Sequence, residues 1–536
     1  MKYTLSNLKD FIRKNKWMIL FVLSQTALLF ILVSKSCNED TASRITTNCI
    51  YGLICIVLIC FMSGIVRKTF LALYQALCFV PNLVILGWYR INRSIIKSTD
   101  FWVIFDTNFN EANGFLSIVE ASTFIWVAIY GVVSLTLCIL AIIETTNETH
   151  LIKSIAAIIL WLTISLLLPF RAHVPSVDFY KSFRNYEKER NNIAEFYASR
   201  QGLNVESSCY LPECKKTFVI IIGESATRCH YSLYGYCRPT TPHLDALREE
   251  LICYDNVIAP DIQTLSCMKQ MLTFTNYEMP DMYKKEANII EILRDAGYKT
   301  FWYDNQGIGG IDTYTPTSYR TIAQMCDSFH VNTQYVQDET LVDMLETTLE
   351  DTTSCKVIFI HLNGSHFPYK VRYPESFAYF SNQDICTPLA EKLNVRQTDV
   401  INEYDNSILY NDYILSECIK LLRDESGLSA LLYVSDHGEE VYDNQLYAGR
   451  SFERLSRSMC EIPCIFWRNR LYKEQVALHI NPHVMYCTDD MIHSIMDMTG
   501  TTYSLKDTTR SMFRYGFENK QILVQGRKYE SITNND

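Results

Sequence analysis

The sequence predicts a protein of two parts: an N-terminal transmembrane domain of five helices, and a soluble α/β domain with a mostly parallel sheet covered by helices. Nearly all long apolar runs of the 536 residues lie before Phe170, which predicts membrane helices there. After that point, short β-branched runs alternate with helical patterns, which is typical of a parallel sheet. Polar side chains follow two of these runs directly, and ligands of open α/β sheets bind at that edge.

Five apolar segments precede the soluble part, and each has close to the roughly 20 residues that a helix needs to cross a bilayer. Five basic residues between Lys2 and Lys16 place the N-terminus in the cytoplasm. Arg67 and Lys68 lie between the second and third segments, a position that parity also places on the cytoplasmic side. Five crossings then place the rest of the chain on the outer face of the membrane. The segments are residues 17–33, 48–66, 69–88, 122–143 and 151–170.

The residues after the last apolar segment are charged and aromatic, which is typical of a helix that lies on a membrane surface. We therefore expect a transmembrane domain over residues 1–170, an amphipathic linker over 171–212 and a soluble domain over 213–536. The net charge of −10 argues against a nucleic-acid partner, although an anionic lipid substrate needs only local positive charge. The expected strands are residues 218–222, 300–303, 357–362, 431–434 and 464–467, with helices at 286–296, 339–349 and 408–422.

Thirteen of the 19 cysteines lie between Cys209 and Cys487, in the predicted soluble domain. None shows the CxxC spacing of a zinc ribbon, so we expect disulfides formed in an oxidising compartment. A set of buried free thiols is the alternative. The odd number leaves at least one thiol unpaired, and the sequence does not give the connectivity. Three pairs are close in sequence: Cys209/Cys214, Cys253/Cys267 and Cys460/Cys464.

The first candidate site residue follows a buried strand, since residues 218–222 are apolar and mostly β-branched. Gly223 ends this strand, and Glu224 comes next. A carboxylate there can bind a metal ion, although it can also cap a following helix. A second buried strand, residues 431–434, is followed in the same way by Asp436 and His437. An Asp, a His and a distant Glu form a suitable oxygen and nitrogen ligand set for zinc.

Two further side chains complete the predicted site. Thr264 precedes a helical run, where free backbone N–H groups favour a phosphate, and a simple helix cap is the alternative. A bound metal ion would lower the pKa of this hydroxyl and make it a nucleophile near neutral pH. His366 lies beyond the end of the strand at residues 357–362 and can bind phosphate or protonate a leaving group, although a lone histidine in a loop is more often structural.

In combination these motifs resemble those of a known family. After the five apolar segments come, in order, GESATRCHYSLYGYCRPTTPHL, a Thr before a helix, GSHFPYKVRYP, YDNSILYNDYIL and SDHGEE. This series resembles the phosphoethanolamine transferases that modify lipopolysaccharide, which belong to the alkaline phosphatase/sulfatase superfamily. Within that family, SDHGEEVYD and HYSLYGYCRPTTP are closer to the core-modifying branch than to the lipid A branch.

The resemblance implies an alkaline phosphatase/sulfatase-like fold and a zinc-dependent reaction. Thr264 would be the nucleophile, and His366, the histidine of the GSH motif, would contact the transferred phosphate. The histidine that follows the DHGE motif in many members is absent, so Arg450 would take over its phosphate contact, and the number of zinc ions, one or two, stays open. The zinc ligands that the resemblance implies are Glu224, Thr264, Asp436 and His437.

The resemblance also implies substrates and location. Phosphatidylethanolamine would be the donor and lipopolysaccharide, at lipid A or a core sugar, the acceptor. The catalytic domain of a monomer would lie in the periplasm of a Gram-negative bacterium, with the helices in its inner membrane. Between the third and fourth apolar segments, Thr107 and Glu111 match polar residues that contact the donor headgroup, but Val103 stands at the third such position.

Other functions remain as alternatives. A glycerol-phosphate transferase or a phosphodiesterase of the same superfamily would use the same metal site. A sulfatase is disfavoured, because the nucleophile region reads TLSCM and lacks the C-x-P-S-R motif. A non-catalytic membrane sensor would have lost metal ligands, and all of the expected ligands are present. The sequence therefore favours transfer of phosphoethanolamine through a phosphothreonine intermediate.

Overall fold

A computed structural model of the chain divides into two compact units, one with the N-terminal helices and one that begins at residue 190. The three domain boundaries drawn from the sequence stay predictions, and within the predicted linker residues 179–185 are helical. The residues that the structure describes are 9–28, 39–92, 101, 119, 121–148, 150–167, 179–185, 187–188, 200, 203–306, 318–332, 336–381, 385–451, 454–518 and 520–532.

The N-terminal unit contains helices that overlap the apolar segments. Among its described residues, Gly64–Ile91 and Ala121–Glu144 are long and apolar enough to cross a membrane, and Ile50–Phe61 and Leu151–Ile164 are shorter apolar helices. Five membrane-spanning helices therefore stay a prediction. The helices are Lys16–Leu23, continued by the π-helical Ser24–Leu28, then Glu39–Phe61, Gly64–Asn92, Ala121–Glu144 and Leu151–Leu167.

Arg67 and Lys68, which the sequence places between the second and third apolar segments, lie inside the helix Gly64–Asn92, and their cytoplasmic side stays a prediction. The helical course breaks earlier, just before Gly64, whose φ of +55° glycine adopts at little cost. Arg67 is only 9% exposed, and its guanidinium donates to the side chain of Asn15 at 3.0 Å. A basic residue within a helix is thus paired with a polar group on a neighbouring helix, a contact that the sequence does not reveal.

The second unit is built on a seven-stranded sheet, and the mostly parallel sheet that the sequence predicts is confirmed. In chain order the strands are β1 (Lys216–Gly223), β2 (Leu251–Tyr254), β3 (Lys299–Asp304), β4 (Ser328–Val331), β5 (Cys355–His361), β6 (Leu428–Ser435) and β7 (Cys464–Arg468). The spatial order is β2-β7-β6-β1-β5-β3-β4, and β7 alone runs opposite to the direction of the other six strands. All five predicted strands are present, as β1, β3, β5, β6 and β7.

Residues 218–222 of strand β1 are all apolar because both faces of the sheet are covered. Phe218, Ile220 and Ile222 pack into one apolar cluster, whereas Val219 and Ile221 pack into another. Successive side chains of a strand point to opposite faces, so the two clusters lie on opposite sides of the sheet. The helices of this unit are Pro242–Ala246, Thr264–Leu272, Met282–Lys285, Ile289–Asp295, Ser318–Ala323, Glu339–Leu349, Val395–Arg423, Arg470–Gln475 and Met491–Thr499.

Helix starts depart from the predicted ones where a capping residue decides them. Asn288 caps Ile289–Asp295 and exchanges hydrogen bonds with Glu291, so this helix begins after the predicted residue 286. Asn394 caps Val395–Arg423 in the same way, which starts that helix well before residue 408.

Short strand pairs also lie outside the main sheet. The antiparallel pairs are Ser208–Cys209 with Thr501–Thr502, Glu440–Val441 with Ala448–Gly449, and Leu523–Val524 with Arg527–Lys528. Val257–Ile258 pairs in parallel with Tyr486–Cys487.

One disulfide is present among the described cysteines, between Cys237 and Cys386, whose Cα atoms lie 6.3 Å apart. This bond confirms the expectation of a disulfide in the soluble unit, whereas the three pairs that are close in sequence are free thiols. Cys267 and Cys460 show the reason, since both are fully buried in apolar clusters. A free cysteine behaves there as a small apolar side chain. Most described cysteines of this unit are therefore free thiols, and five of these thiols are buried.

We expect Cys237→Ser to lower the stability of the soluble unit by about 2–4 kcal/mol, because the disulfide closes a long loop and restricts the unfolded chain. The two cysteines are 149 residues apart. Thermal unfolding of the full chain in detergent, with and without reductant, measures the effect. Cys253→Ser, which removes a half-buried free thiol, is the matched control and should respond to reductant as the parent does. An equal response of Cys237→Ser and the parent to reductant would contradict the prediction.

Candidate active site

Two neighbouring strands deliver three side chains to one edge of the sheet. Strands β1 and β6 are parallel, and Gly223 lies opposite Ser435 in their register. Glu224 follows β1, while Asp436 and His437 follow β6, so the three emerge side by side. All three are fully buried, and one ligand atom of each lies within 4.8 Å of the ligand atoms of the other two. From the sequence we expected polar residues just after neighbouring buried strands to meet at one edge of the sheet, and we call this the strand-end rule. These three side chains follow it.

Thr264 joins this cluster from the N-terminus of a helix. It is the first residue of Thr264–Leu272, and the cap position is Gln263, so the simple-cap alternative for Thr264 is wrong. Its hydroxyl donates to Oε2 of Glu224 at 3.0 Å, and the same oxygen lies 3.2 Å from Nε2 of His437. The hydroxyl is thus in contact with two of the candidate metal ligands.

The two carboxyl oxygens of Asp436 have different surroundings. Oδ1 accepts hydrogen bonds from the backbone N–H groups of Ser225 at 3.2 Å and His437 at 2.7 Å. Oδ2 is buried, has no hydrogen-bond partner among the described residues, and lies 3.2 Å from Nε2 of His437. Burial and the nearby carboxylate of Glu224 raise the pKa of Asp436 well above its usual range. A cation beside Oδ2 would satisfy this oxygen and separate the two like charges.

His437 presents one ring nitrogen to the backbone and the other to the cluster. Nδ1 lies 2.9 Å from the carbonyl oxygen of Gly438, so Nδ1 carries the proton and donates it there. Nε2 therefore has an available electron pair, and it lies 3.3 Å from Oε1 of Glu224. Burial and the charge of Arg450 lower the pKa of His437. The ring is thus held in the neutral form that binds metal ions.

Arg450 returns to the cluster through a short hairpin that follows His437. The strands Glu440–Val441 and Ala448–Gly449 pair and reverse the chain. Nη1 of Arg450 then lies within hydrogen-bonding distance of Nε2 of His437, and its Nε lies 3.5 Å from the carboxylate of Glu439. The predicted substitute for the missing histidine therefore lies beside the candidate ligands, with its charge balanced by a buried acid.

Two side chains that the sequence motifs did not point out hold Glu224 in place. Ser225 donates its hydroxyl to Oε1 of Glu224 at 2.7 Å, and Gln306 donates its amide to Oε2 at 2.9 Å. Gln306 comes two residues after the end of β3, so the strand-end rule applied to that strand would have found it. Ser225 has a φ of +55°, which is uncommon outside glycine and concentrates at functional sites.

Gly364 brings the loop after β5 against Glu224. Its φ is +55°, and a Cβ atom at this position would lie 2.8 Å from the backbone nitrogen of Glu224, so only glycine fits. His366 follows in the same loop, where it is half-buried and its Nδ1 lies 2.7 Å from the carbonyl oxygen of Phe367. Thr107 and Glu111, the predicted headgroup contacts, lie outside the described residues.

Comparison with known proteins assigns the family. The sulfatase family model matches residues 216–501, which is over half of the chain. The chain belongs to the sulfatase family. Its curated relatives include the phosphoethanolamine transferase EptC of Escherichia coli strain K12, which is 29% identical over 494 residues that cover 84% of this chain and 83% of the relative. The resemblance to phosphoethanolamine transferases drawn from the sequence is thereby confirmed.

Solved structures that match this sulfatase-family chain include a zinc complex and an integral membrane protein. The C-terminal periplasmic domain of EptC from Escherichia coli, in complex with zinc, is 31% identical with a TM-score of 0.58, and the match covers 61% of this chain and 96% of that domain. The integral membrane protein EptA from Neisseria meningitidis matches with a TM-score of 0.65 over 92% of this chain and 97% of its own. At 16% identity this second match shows a common fold alone, and it extends over the N-terminal helices.

This sulfatase-family site has the donor set of a zinc centre. Two carboxylates and one neutral imidazole converge in a buried place, and one carboxylate oxygen there has no partner among the described residues. Oxygen and nitrogen ligands of this kind suit zinc, and without a cation the two buried carboxyl groups repel each other when both are ionised. The residues therefore fit a zinc ion held by Glu224, Asp436 and His437, with the hydroxyl of Thr264 within reach.

Proposed function

We propose that the chain transfers phosphoethanolamine from phosphatidylethanolamine to lipopolysaccharide, and that Thr264 carries the group between donor and acceptor. The observation that carries this proposal is the position of the Thr264 hydroxyl, 3.0 Å from Oε2 of Glu224 and 3.2 Å from Nε2 of His437. A nucleophilic hydroxyl needs activating groups within hydrogen-bond reach, and this one has two. The transferred group is supported by the relatives that are named phosphoethanolamine transferases.

The reaction proceeds in two displacements at phosphorus. The oxygen of Thr264 first attacks the donor, the bond between phosphorus and the diacylglycerol oxygen breaks, and phosphoethanolamine remains on Thr264. Oε2 of Glu224 is the nearest acceptor for the hydroxyl proton. His366 protonates the departing diacylglycerol oxygen and then accepts the proton of the incoming acceptor hydroxyl. Attack by that hydroxyl on the same phosphorus releases Thr264 for the next cycle.

Zinc is the cofactor that we assign to this site, and the zinc complex of the Escherichia coli EptC domain supports the choice. When bound, the ion lowers the pKa of a hydroxyl in contact with it and offsets charge on the phosphoryl oxygens. Arg450 brings a permanent positive charge to the same cluster. We therefore assign one zinc ion to the site, and the guanidinium of Arg450 makes the second contact to the phosphate.

The catalytic domain acts in the periplasm of a Gram-negative bacterium, and the N-terminal helices hold the monomer in the inner membrane. The Cys237–Cys386 disulfide supports an oxidising compartment. Anchoring raises the effective concentration of a lipid donor at the site. Thr107 and Glu111 would contact the ethanolamine headgroup, a role that rests on their match to the family motif alone.

Mass spectrometry of lipopolysaccharide tests the proposed reaction. Cells that express the chain should show a mass gain of one phosphoethanolamine on lipid A or a core sugar, and fragmentation locates it. Cells that express Thr264→Ala at the same level are the control and should show no gain. An unchanged lipopolysaccharide would reject the proposal, and a gain of glycerol phosphate would favour the glycerol-phosphate transferase.

A further inference from the structure

We propose that Cys229, His230 and Asp443 form a second divalent metal site that binds zinc or a cation of similar softness. One ligand atom of each side chain lies within 4.8 Å of the ligand atoms of the other two. None of the three belongs to the Glu224, Asp436 and His437 cluster. The set combines a sulfur, a nitrogen and an oxygen donor, all of which are common zinc ligands.

The imidazole of His230 is already oriented as in a metal site. Its Nδ1 lies 2.5 Å from Oδ1 of Asp405, and its Nε2 lies 3.0 Å from Oδ1 of Asp443. A metal-binding histidine usually donates its other ring N–H to a carboxylate, which fixes the ring and leaves the second nitrogen for the metal. Asp405 is itself fixed by Arg238 at 2.7 Å and Tyr236 at 3.1 Å. These contacts hold Asp405, and through it the ring of His230, in a fixed orientation.

The nitrogen and oxygen donors already have nearly the separation that a bound zinc ion requires. Tetrahedral zinc with nitrogen and oxygen ligands at about 2.0–2.1 Å separates those two atoms by about 3.3 Å, close to the 3.0 Å between His230 and Asp443. Cys229 is the exposed member and provides access from solvent. Its sulfur lies 3.2 Å from Oγ1 of Thr227. Binding releases the thiol proton and the Nε2 proton to solvent, and water takes the fourth position.

The alternative is a purely structural ion pair, in which a protonated His230 lies between two carboxylates. That arrangement explains Asp405 and Asp443, but it leaves the thiol of Cys229 outside the ion pair, in contact only with the hydroxyls of Thr227 and Ser458 among the described residues. A metal ion uses all three donors, and it joins the segment that follows Glu224 to the segment that follows His437. The second site would therefore tie together the two loops that carry the candidate catalytic ligands, and it stands independently of the proposed reaction.

Cobalt substitution distinguishes the two sites, because only the proposed second site contains sulfur. The full chain in detergent, freed of metal and titrated with Co²⁺, should develop a near-ultraviolet thiolate-to-cobalt charge-transfer band. Cys229→Ser should abolish the band and lower bound zinc from two ions to one per chain. Asp436→Asn should keep the band, because it alters only the first site. Cys253→Ser, which removes a half-buried thiol elsewhere, should also keep it.

The proposal is overturned if the parent chain shows no charge-transfer band with excess Co²⁺, or if Cys229→Ser leaves the band unchanged. A second measurement distinguishes loss of the metal site in Cys229→Ser from loss of folding in that variant. In the Asp436→Asn background, Zn²⁺ should raise the unfolding temperature of the chain with Cys229 and have no effect on the chain with Ser at that position. Because the hydroxyl of serine can keep the contacts of the thiol to Thr227 and Ser458, Cys229→Ser should leave the metal-free unfolding temperature close to that of the parent. Equal responses of both chains to zinc would count against the site.

Discussion

Thr264→Ala should reduce phosphoethanolamine transfer by about 10⁴-fold or more, the usual result of removing a nucleophile that acts together with its activating groups. The fold should survive, because Thr264 is half-buried and its side chain does not cap the helix that it begins. Zinc should remain bound, because Glu224, Asp436 and His437 are untouched. Transfer of a labelled donor lipid to lipopolysaccharide measures the rate, and metal analysis of the purified chain measures the zinc.

Two matched variants separate chemistry from packing. Thr264→Ser keeps the hydroxyl and should retain measurable transfer. Ser266→Ala removes a hydroxyl in the same helical turn that bonds only within the helix, to Gln270, and should keep the parent rate. With donor but no acceptor, the parent chain should gain the mass of one phosphoethanolamine at Thr264, and the alanine variant should gain none. Normal transfer by Thr264→Ala would reject the nucleophile assignment.

The sheet and the ligand cluster could be predicted from the sequence for the same physical reason. A buried parallel strand requires an unbroken apolar run, so β1 and β6 are visible as such, and the polar residues just after them must meet at one edge. Glu224, Asp436 and His437 follow directly from this rule. Gln306 follows the same rule. It was missed because the residues around the end of β3, Asp304 and Asn305, do not form a recognisable metal-binding motif.

Other features depend on contacts between distant residues, which no local pattern reveals. The pairing of Cys237 with Cys386 rests on a loop closure of 149 residues, and the number of cysteines gave no indication that most of the others are core side chains. Arg67 was placed between two apolar segments because it is charged, whereas a hydrogen bond to the side chain of Asn15 allows it to lie within a helix. The orientation of His437 is likewise set by the carbonyl of Gly438, which becomes visible only in the folded chain.

Asp436→Asn should change stability in opposite directions with and without zinc, and it should abolish transfer. Without metal, asparagine resembles the protonated form of Asp436 that burial and Glu224 favour, so the variant should be at least as stable as its parent. With free zinc at about 100 times its dissociation constant, the parent gains about 2.7 kcal/mol, and the variant should gain none of this. Thermal unfolding is measured with Cys229→Ser present in both chains, so that zinc changes their stability only through the site that contains Asp436.

The control for this comparison is Glu249→Gln, which neutralises an exposed acid outside the cluster and should follow its parent in both conditions. The change in stability caused by Asp436→Asn is expected to differ in sign with and without zinc. An aspartate with a purely structural role would give the same change in both conditions. Oδ1 of Asp436 accepts two backbone hydrogen bonds, and the amide oxygen of asparagine can accept both. A variant less stable than its parent by the same amount with and without zinc would therefore show that the charge of Asp436 supports the loop itself. A difference that appears only with zinc assigns that charge to the metal.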